Sequence, residues 1–313
     1  MEKVNIRLFV TVICCFLLTL QVAAQSTITP QPLKVGYAVV FTDLTPEKMA
    51  YAKSVGIDYL EVSLGSVIDK DRNFKQKEEE ILAKIKAGKK AADEAGIKIW
   101  SIHMPYGPKI DLSMADEQER QQVVALHRKV LELISPLKPE VILFHPSYYL
   151  GLNERELRTK QMVKSAVELN NMVRAMNATM VIENMLGFEL LRDTLRERPL
   201  CRTVEETVAI MSLLPENIYA AVDMNHIKYP EKLIRALGKR LQSVHIADGT
   251  GREENHYFPC SGQGENNWIE ILAALNEVGY TGPFLFESKF NDVKELSACY
   301  QSLYKSFIAQ KFN

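Results

Sequence analysis

The sequence carries almost no net charge with which to attract a charged partner: 38 lysines and arginines stand against 39 aspartates and glutamates in 313 residues. That balance excludes the basic footprint of a nucleic-acid binder or of a protein held on an anionic membrane. Cysteine is scarce, at five residues. Cys14 and Cys15 lie in an N-terminal apolar run without the small residue that a lipoprotein signal places before its cysteine, so no lipid anchor is expected. Cys201, Cys260 and Cys299 are then left, an odd number without zinc-finger spacing. They exclude a disulfide framework but leave room for one bridge in an oxidising compartment, with the pairing open. Long hydrophobic runs are missing beyond residues 8–20, and that one is too short to span a bilayer.

The N-terminal run has the layout of a secretory signal peptide. Lys3 and Arg7 precede it, and Val22-Ala23-Ala24 follows with small residues at a cleavage point. Residues 1–24 are expected to be removed, leaving one domain over 25–313, secreted or periplasmic, with no membrane insertion afterwards. Loss of Glu2, Lys3 and Arg7 takes the formal charge from −1 to −2.

What remains alternates short apolar runs with longer amphipathic ones. The apolar runs are 33–40, 59–64, 97–103, 141–145, 179–183, 219–223, 243–246 and 283–287. They are rich in Val, Ile, Leu and Phe and lack strict polar alternation, as expected for parallel strands covered on both faces. Helices are expected over 76–95, 116–137, 157–176, 203–214, 230–241, 268–278 and 293–308, with a further one opening at Thr45-Pro46-Glu47 and ending at Gly56. Gly88 counts against the 76–95 helix, since glycine is unfavourable inside one. Eight strand–helix units predict a single (β/α)8 TIM barrel. An open doubly wound sheet fits less well, because no glycine-rich phosphate turn follows Val40. The long loop 186–202, after the fifth strand, falls on the face where such barrels carry active-site lids.

Polar residues interrupt these apolar runs at their C-terminal ends: Glu61 in the second, His103 in the third, His145 in the fourth, Glu183 in the fifth, then Asp223 with His226, His245 with His256 in the following loop, and Glu287. An imidazole or carboxylate buried alone forfeits its hydration. Parallel barrel strands aim these ends at one mouth, where a divalent cation offsets both desolvation and mutual repulsion. Strand ends and the loops just beyond them make up roughly a sixth of such a barrel, so about one of six histidines should fall there by chance. Five do; only His127, midway along a helix, reads as a packing or surface residue. Mixed imidazole and carboxylate ligands suit Mn, Zn, Fe or Co better than an all-oxygen set would.

The ordered series His103-Met104-Pro105-Tyr106, His145-Pro146, Glu183-Asn184, Asp223-x-x-His226, His245-x-x-Asp248, Gly262-Gln263-Gly264 before Trp268, and Glu287 resembles the xylose-isomerase-like barrels, which include sugar-phosphate isomerase/epimerases, ketose 3-epimerases and endonuclease IV. The resemblance implies one divalent metal ion (Mn, Zn, Co or Mg, with Mn or Zn favoured) held by Glu183, Asp223, His245 and Glu287. Glu183 and Glu287 would be the catalytic pair and His226 would touch the substrate; His103, His145 and His256 are read as further substrate contacts or optional ligands, and Glu61, from its place in the second strand, as either a substrate contact or a structural partner for a lysine or backbone amide. Glu254 stands where the endonuclease branch carries an aspartate, and Pro259-Cys260-Ser261 lengthens the next turn.

The expected activity is therefore a metal-dependent sugar isomerase or epimerase, acting through an enediolate on a small carbohydrate. The alternative is a lyase or hydratase of 3-keto-sugars or glycosides, which begins with the same proton removal and which export favours over sugar-phosphate chemistry. An endonuclease IV-like nuclease has the ligands but no basic face, and a non-catalytic sugar-binding protein has no use for two glutamates beside a metal. Homo-oligomerisation is left open.

Overall fold

The computed structural model describes residues 29–65, 67–187 and 195–312. The expected signal peptide and part of the 186–202 loop lie outside them. Eight parallel strands form the barrel: β1 Val35–Val40, β2 Tyr59–Ser63, β3 Lys98–His103, β4 Val141–Phe144, β5 Thr179–Glu183, β6 Ile218–Asp223, β7 Leu241–His245 and β8 Phe284–Phe286. They pair in chain order, β8 also lies beside β1, and a parallel bridge between Ile246 and Phe286 joins β7 to β8. The fold is thus the single (β/α)8 barrel expected.

Eight helices surround it: α1 Pro46–Ser54, α2 Glu78–Ala95, α3 Glu117–Ile134, α4 Arg155–Ala175, α5 Val204–Leu213, α6 Pro230–Leu237, α7 Trp268–Glu277 and α8 Lys294–Lys311. Side-chain caps explain several starts: Thr45, Asp116, Thr203 and Asn267 each accept a bond from the backbone N–H three residues on. Gly88 does not break α2. A Cβ there would sit 2.8 Å from the Leu44 Cβ, so glycine lets the β1–α1 connection pack on the helix. The expected 230–241 helix is corrected: it ends at Leu237, because Gly238 turns the chain at φ 54° into a short 3-10 turn, and β7 already begins at Leu241. No helix among the described residues is long and apolar enough to cross a membrane.

Two apolar layers fix the strand ends. The larger lies between strands and helices; the smaller, Trp100, Val141, Leu143, Val181, Ala221 and Leu285, fills the barrel interior. Because side chains alternate along a strand, Val181, Ala221 and Leu285 share a face with Glu183, Asp223 and Glu287, each two residues further on. The apolar plug therefore forms the floor of the polar mouth. Near the rim, a two-residue antiparallel ribbon joins Leu150–Gly151 to Arg196–Glu197, a pairing that the sequence pattern does not announce.

Candidate active site and metal centre

At the ends of β5, β6, β7 and β8, Glu183, Asp223, His245 and Glu287 bring one ligand atom each to within 4.8 Å of one another. His245 is the hub. Its Nδ1 lies 3.0 Å from Glu183 Oε1, 2.6 Å from Glu287 Oε2 and 4.0 Å from Asp223 Oδ2. The Asn184 side chain holds two of these strands in register: its Oδ1 accepts the Asp223 N–H and its Nδ2 donates to the Asp223 carbonyl.

Glu61 sits beneath this group and does not line the cavity offered to substrate. It is fully buried, with Oε1 2.9 Å from His245 Nε2 and Oε2 accepting from Ser101 Oγ at 2.6 Å. A carboxylate behind the far nitrogen of a ligating histidine orients the ring and raises its basicity. The structure thus puts Glu61 behind His245 at ion-pair distance, with neither Glu61 Oε1 nor His245 Nε2 making a well-aligned hydrogen bond.

Two further groups flank the centre and share its carboxylates: His103 and His145 with Glu183, and His226 and His256 with Asp223. Nδ1 of His103, His226 and His256 faces the carbonyl of Met104, Asn184 and Glu287, at 3.1, 2.9 and 2.7 Å. A carbonyl only accepts, so each Nδ1 carries a proton, and on His226 and His256, where the Glu254 carboxylate faces Nε2, that nitrogen donates as well. Glu254 Oε2 lies 3.1 Å from Nε2 of both His226 and His256. All four of these histidines line the cavity, as do Glu183 and Glu287. His127 lies elsewhere, buried on α3 against Phe144.

The carboxylates and imidazoles of this group shift one another strongly. Burial pushes the Asp223 carboxyl up to about 6, with Glu287 and Glu183 adding to the rise and His226 and His256 opposing it. Burial pushes Glu183 the same way, but His245 and His145 override it and hold that carboxyl well below its ordinary 4.5. Desolvation pushes the half-buried Glu287 up as well, yet His245 brings it down to about 2. The histidines respond in kind. Burial would lower His245, but Glu287, Glu61 and Glu183 raise it well above 6.5, and His256, also opposed by burial, reaches about 9 beside Glu254 and Asp223. His145 moves the other way, because burial outweighs Glu183.

Buried Glu183 Oε2 and Asp223 Oδ2 receive no well-aligned hydrogen bond. Such orphaned buried oxygens call for a missing partner. Three carboxylates and one imidazole, converging with free oxygens, fit a divalent cation in donor type and charge.

Other residues emerge only in three dimensions. Tyr106 stacks on His145 with ring centroids 4.0 Å apart, and Ser147, Tyr148, Tyr149, Met185, Leu186 and Pro199 complete a cavity of about 460 Å³. Asp248 faces away from the metal group. It accepts bonds from Trp268 Nε1, Gly249 N and Asn266 N, and a Cβ at Gly264 would sit 1.9 Å from its Oδ1, so glycine is needed for that turn to close.

These features define a barrel with a carboxylate-rich candidate metal centre at its C-terminal mouth. The chain matches the model of the xylose isomerase-like TIM barrel family over residues 49–302 and belongs to that family. Among curated relatives, an uncharacterised protein of Methanocaldococcus jannaschii is 24% identical over 213 residues, covering 65% of this chain and 76% of its own length. Among solved structures, a D-tagatose 3-epimerase-like protein superposes with a TM-score of 0.69 at 19% identity, over 88% of this chain and 98% of that one. The 3-keto-D-glucoside 4-epimerase of E. coli gives 0.63 at 15% identity, over 88% and 99%. At such identities the likeness to the solved structures is one of fold.

Proposed function

We propose that the protein is a divalent-metal-dependent isomerase or epimerase of an uncharged sugar, with Glu183 and Glu287 as its proton-transfer pair. The observation that carries this reading is the position of these two carboxylates, which approach the same His245 nitrogen from different strands, at 3.0 and 2.6 Å, while both line the cavity. A divalent ion among Glu183, Asp223, His245 and Glu287 would supply positive charge to a substrate carbonyl and its neighbouring hydroxyl, as the negative charge of an enediolate develops.

The chain's own groups do the rest. One glutamate removes the proton between those oxygens and the other returns it from the opposite face. Nε2 of His103, His145, His226 and His256 orients the remaining hydroxyls. Among the described residues no lysine or arginine lines the cavity, which supports an unphosphorylated substrate. The Cys260–Cys299 disulfide supports the expected secreted or periplasmic location, since such bonds persist in oxidising compartments.

The lyase or hydratase reading rests on a second observation. The cavity is about three times the roughly 150 Å³ of an engineered cavity that encloses one benzene ring, so a substrate with a leaving group has room. A panel of free, phosphorylated and 3-keto sugars in D2O, with Mn, Co, Zn or Mg added to metal-stripped protein, tests both readings. Glu183→Gln and Glu287→Gln are each expected to lower deuterium entry at the substrate carbon by at least a hundredfold. Undiminished exchange in both variants sinks the assignment.

A further inference from the structure

The cavity lining combines two chemistries: histidines and carboxylates that handle oxygens, and Tyr106, Tyr148, Tyr149, Met185, Leu186 and Pro199, which bring rings and methylenes. The first set suffices for the proton transfers proposed above, and the second is left to contact the rest of the substrate. Tyr106 leaves half of its surface exposed, with one face against His145. Apolar surface held open to water in a polar cavity is the usual mark of a subsite for a ring or other apolar group.

This second set is braced by charges that the metal centre does not use. Asp111 is 3% exposed and pairs with Arg158 at 2.5 Å, while its Oδ2 accepts the Tyr148 backbone N–H at 2.9 Å. Arg158 also donates to Ser113 and Glu154. A buried ion pair is costly to desolvate and gives little stability by itself, but it does fix geometry. On the open side, Arg196 lies 4.5 Å from the Tyr149 ring centroid, and Arg198 donates to the Tyr149 hydroxyl at 2.9 Å. The Leu150–Gly151 to Arg196–Glu197 ribbon ties these two segments together. The tyrosines are therefore held before any ligand arrives, which lowers the ordering cost of binding.

We propose that these tyrosines form a subsite for a ring joined glycosidically to the reacting sugar, so that the substrate is an uncharged glycoside whose carbonyl lies at a ring carbon other than the anomeric one, and not a free monosaccharide. The proposal rests on the metal-centred reading above for where the reacting sugar lies. The shared chemistry is a flat face, either the C–H face of a second pyranose or the π face of an aryl group, which stacks on tyrosine.

The test is calorimetric binding of Mn²⁺-loaded protein to the methyl and phenyl β-D-glycosides of glucose, galactose and xylose, and to cellobiose. At least one phenyl glycoside, or cellobiose for a pyranose occupant, is expected to bind about tenfold more tightly than the matching methyl glycoside. Tyr149→Ala should reduce that ratio to less than threefold, whereas Tyr149→Phe, which keeps the ring and loses only the Arg198 bond, should retain it. Equal affinity of paired probes, a ratio unchanged in Tyr149→Ala, or no binding by any probe overturns the proposal. A ratio that stands while the affinity of the corresponding phenyl 3-keto-β-D-glucoside is indifferent to Mn²⁺ leaves the subsite in place and sinks the metal-centred reading instead.

Discussion

Reduction of the Cys260–Cys299 bridge offers a perturbation whose size follows from the chain path. The two Cα atoms are 5.8 Å apart and 39 positions separate the residues, so the bond closes a loop that contains α7, β8 and Glu287. Cross-linking a loop of about 40 residues removes roughly 13 cal/mol/K from the unfolded chain, or about 4 kcal/mol at 25 °C. A domain of nearly 300 residues unfolds with an entropy on the order of 600 cal/mol/K, so the same 4 kcal/mol lowers Tm by about 7 °C. The measurement is calorimetric melting of wild type and of Cys260→Ser/Cys299→Ser, each with and without dithiothreitol. Wild type should fall to the variant's Tm on reduction, and the variant should not respond. Cys201 is buried and unbridged, with its thiol pushed up by burial, and should stay inert throughout. A wild-type Tm that ignores reductant, or a variant within about 1 °C of wild type, would refute both the bond and the entropy argument.

Other perturbations separate the roles of individual side chains. Glu61→Gln keeps shape and burial while removing the charge behind His245, and should weaken Mn²⁺ or Zn²⁺ binding by about 10–100-fold in a chelator competition, with Tm of the metal-free protein little changed. An affinity within threefold of wild type would return Glu61 to a purely structural role. His127 is buried, and neither of its ring nitrogens finds a hydrogen-bond partner among the described residues, so burial lowers its pKa from 6.5 to about 3. The unfolded chain then takes up the proton first, and stability present above pH 6.5 drains away as pH falls towards 3. Urea unfolding should show His127→Leu losing about 2–3 kcal/mol less than wild type between pH 7 and 4.5, and parallel losses in the two proteins would count against it.

Much of this architecture is legible because each barrel strand must pass between two apolar layers, so a lone acid or imidazole at its end has to be explained. That logic gathers Glu183, Asp223, His245 and Glu287 at one mouth together with the other histidines, and the family resemblance, not the pattern, singles these four out as ligands. The pattern does not say which residue a side chain will meet on the next strand: an extra residue on β3, Trp100, sets Ser101 instead of Trp100 opposite Glu61, which no count of alternation gives. The tyrosine subsite escapes for another reason. Tyr106, Tyr149 and Pro199 come from three different loops, and the Asp111–Arg158 pair that braces them spans 47 positions. From three cysteines, too, spacing alone cannot choose a pair; the packing of the Pro259–Ser261 turn beside α8 does. Even Gly238 is ambiguous in sequence, since only its positive φ distinguishes a helix stop from a tolerated interior glycine.

The overlap of the three ligand groups bears on how many ions the mouth would hold. The central group has three carboxylates to set against a dication, and its histidine is backed by Glu61. Each flanking group has a single carboxylate, and in both cases it is one that the central group shares: Glu183 on one side and Asp223 on the other. Once those oxygens face a central ion, His103 and His145 have no acid of their own. His226 and His256 have only Glu254, whose side chain is 56% exposed and already bridges them. A second dication at either flank would therefore meet imidazoles and a neighbouring positive charge, with at most one solvated carboxylate in compensation. Substrate hydroxyls face no such penalty. Their oxygens can accept from the imidazole N–H groups that Glu254 otherwise takes, so we propose one metal ion with oxygen-orienting imidazoles around it.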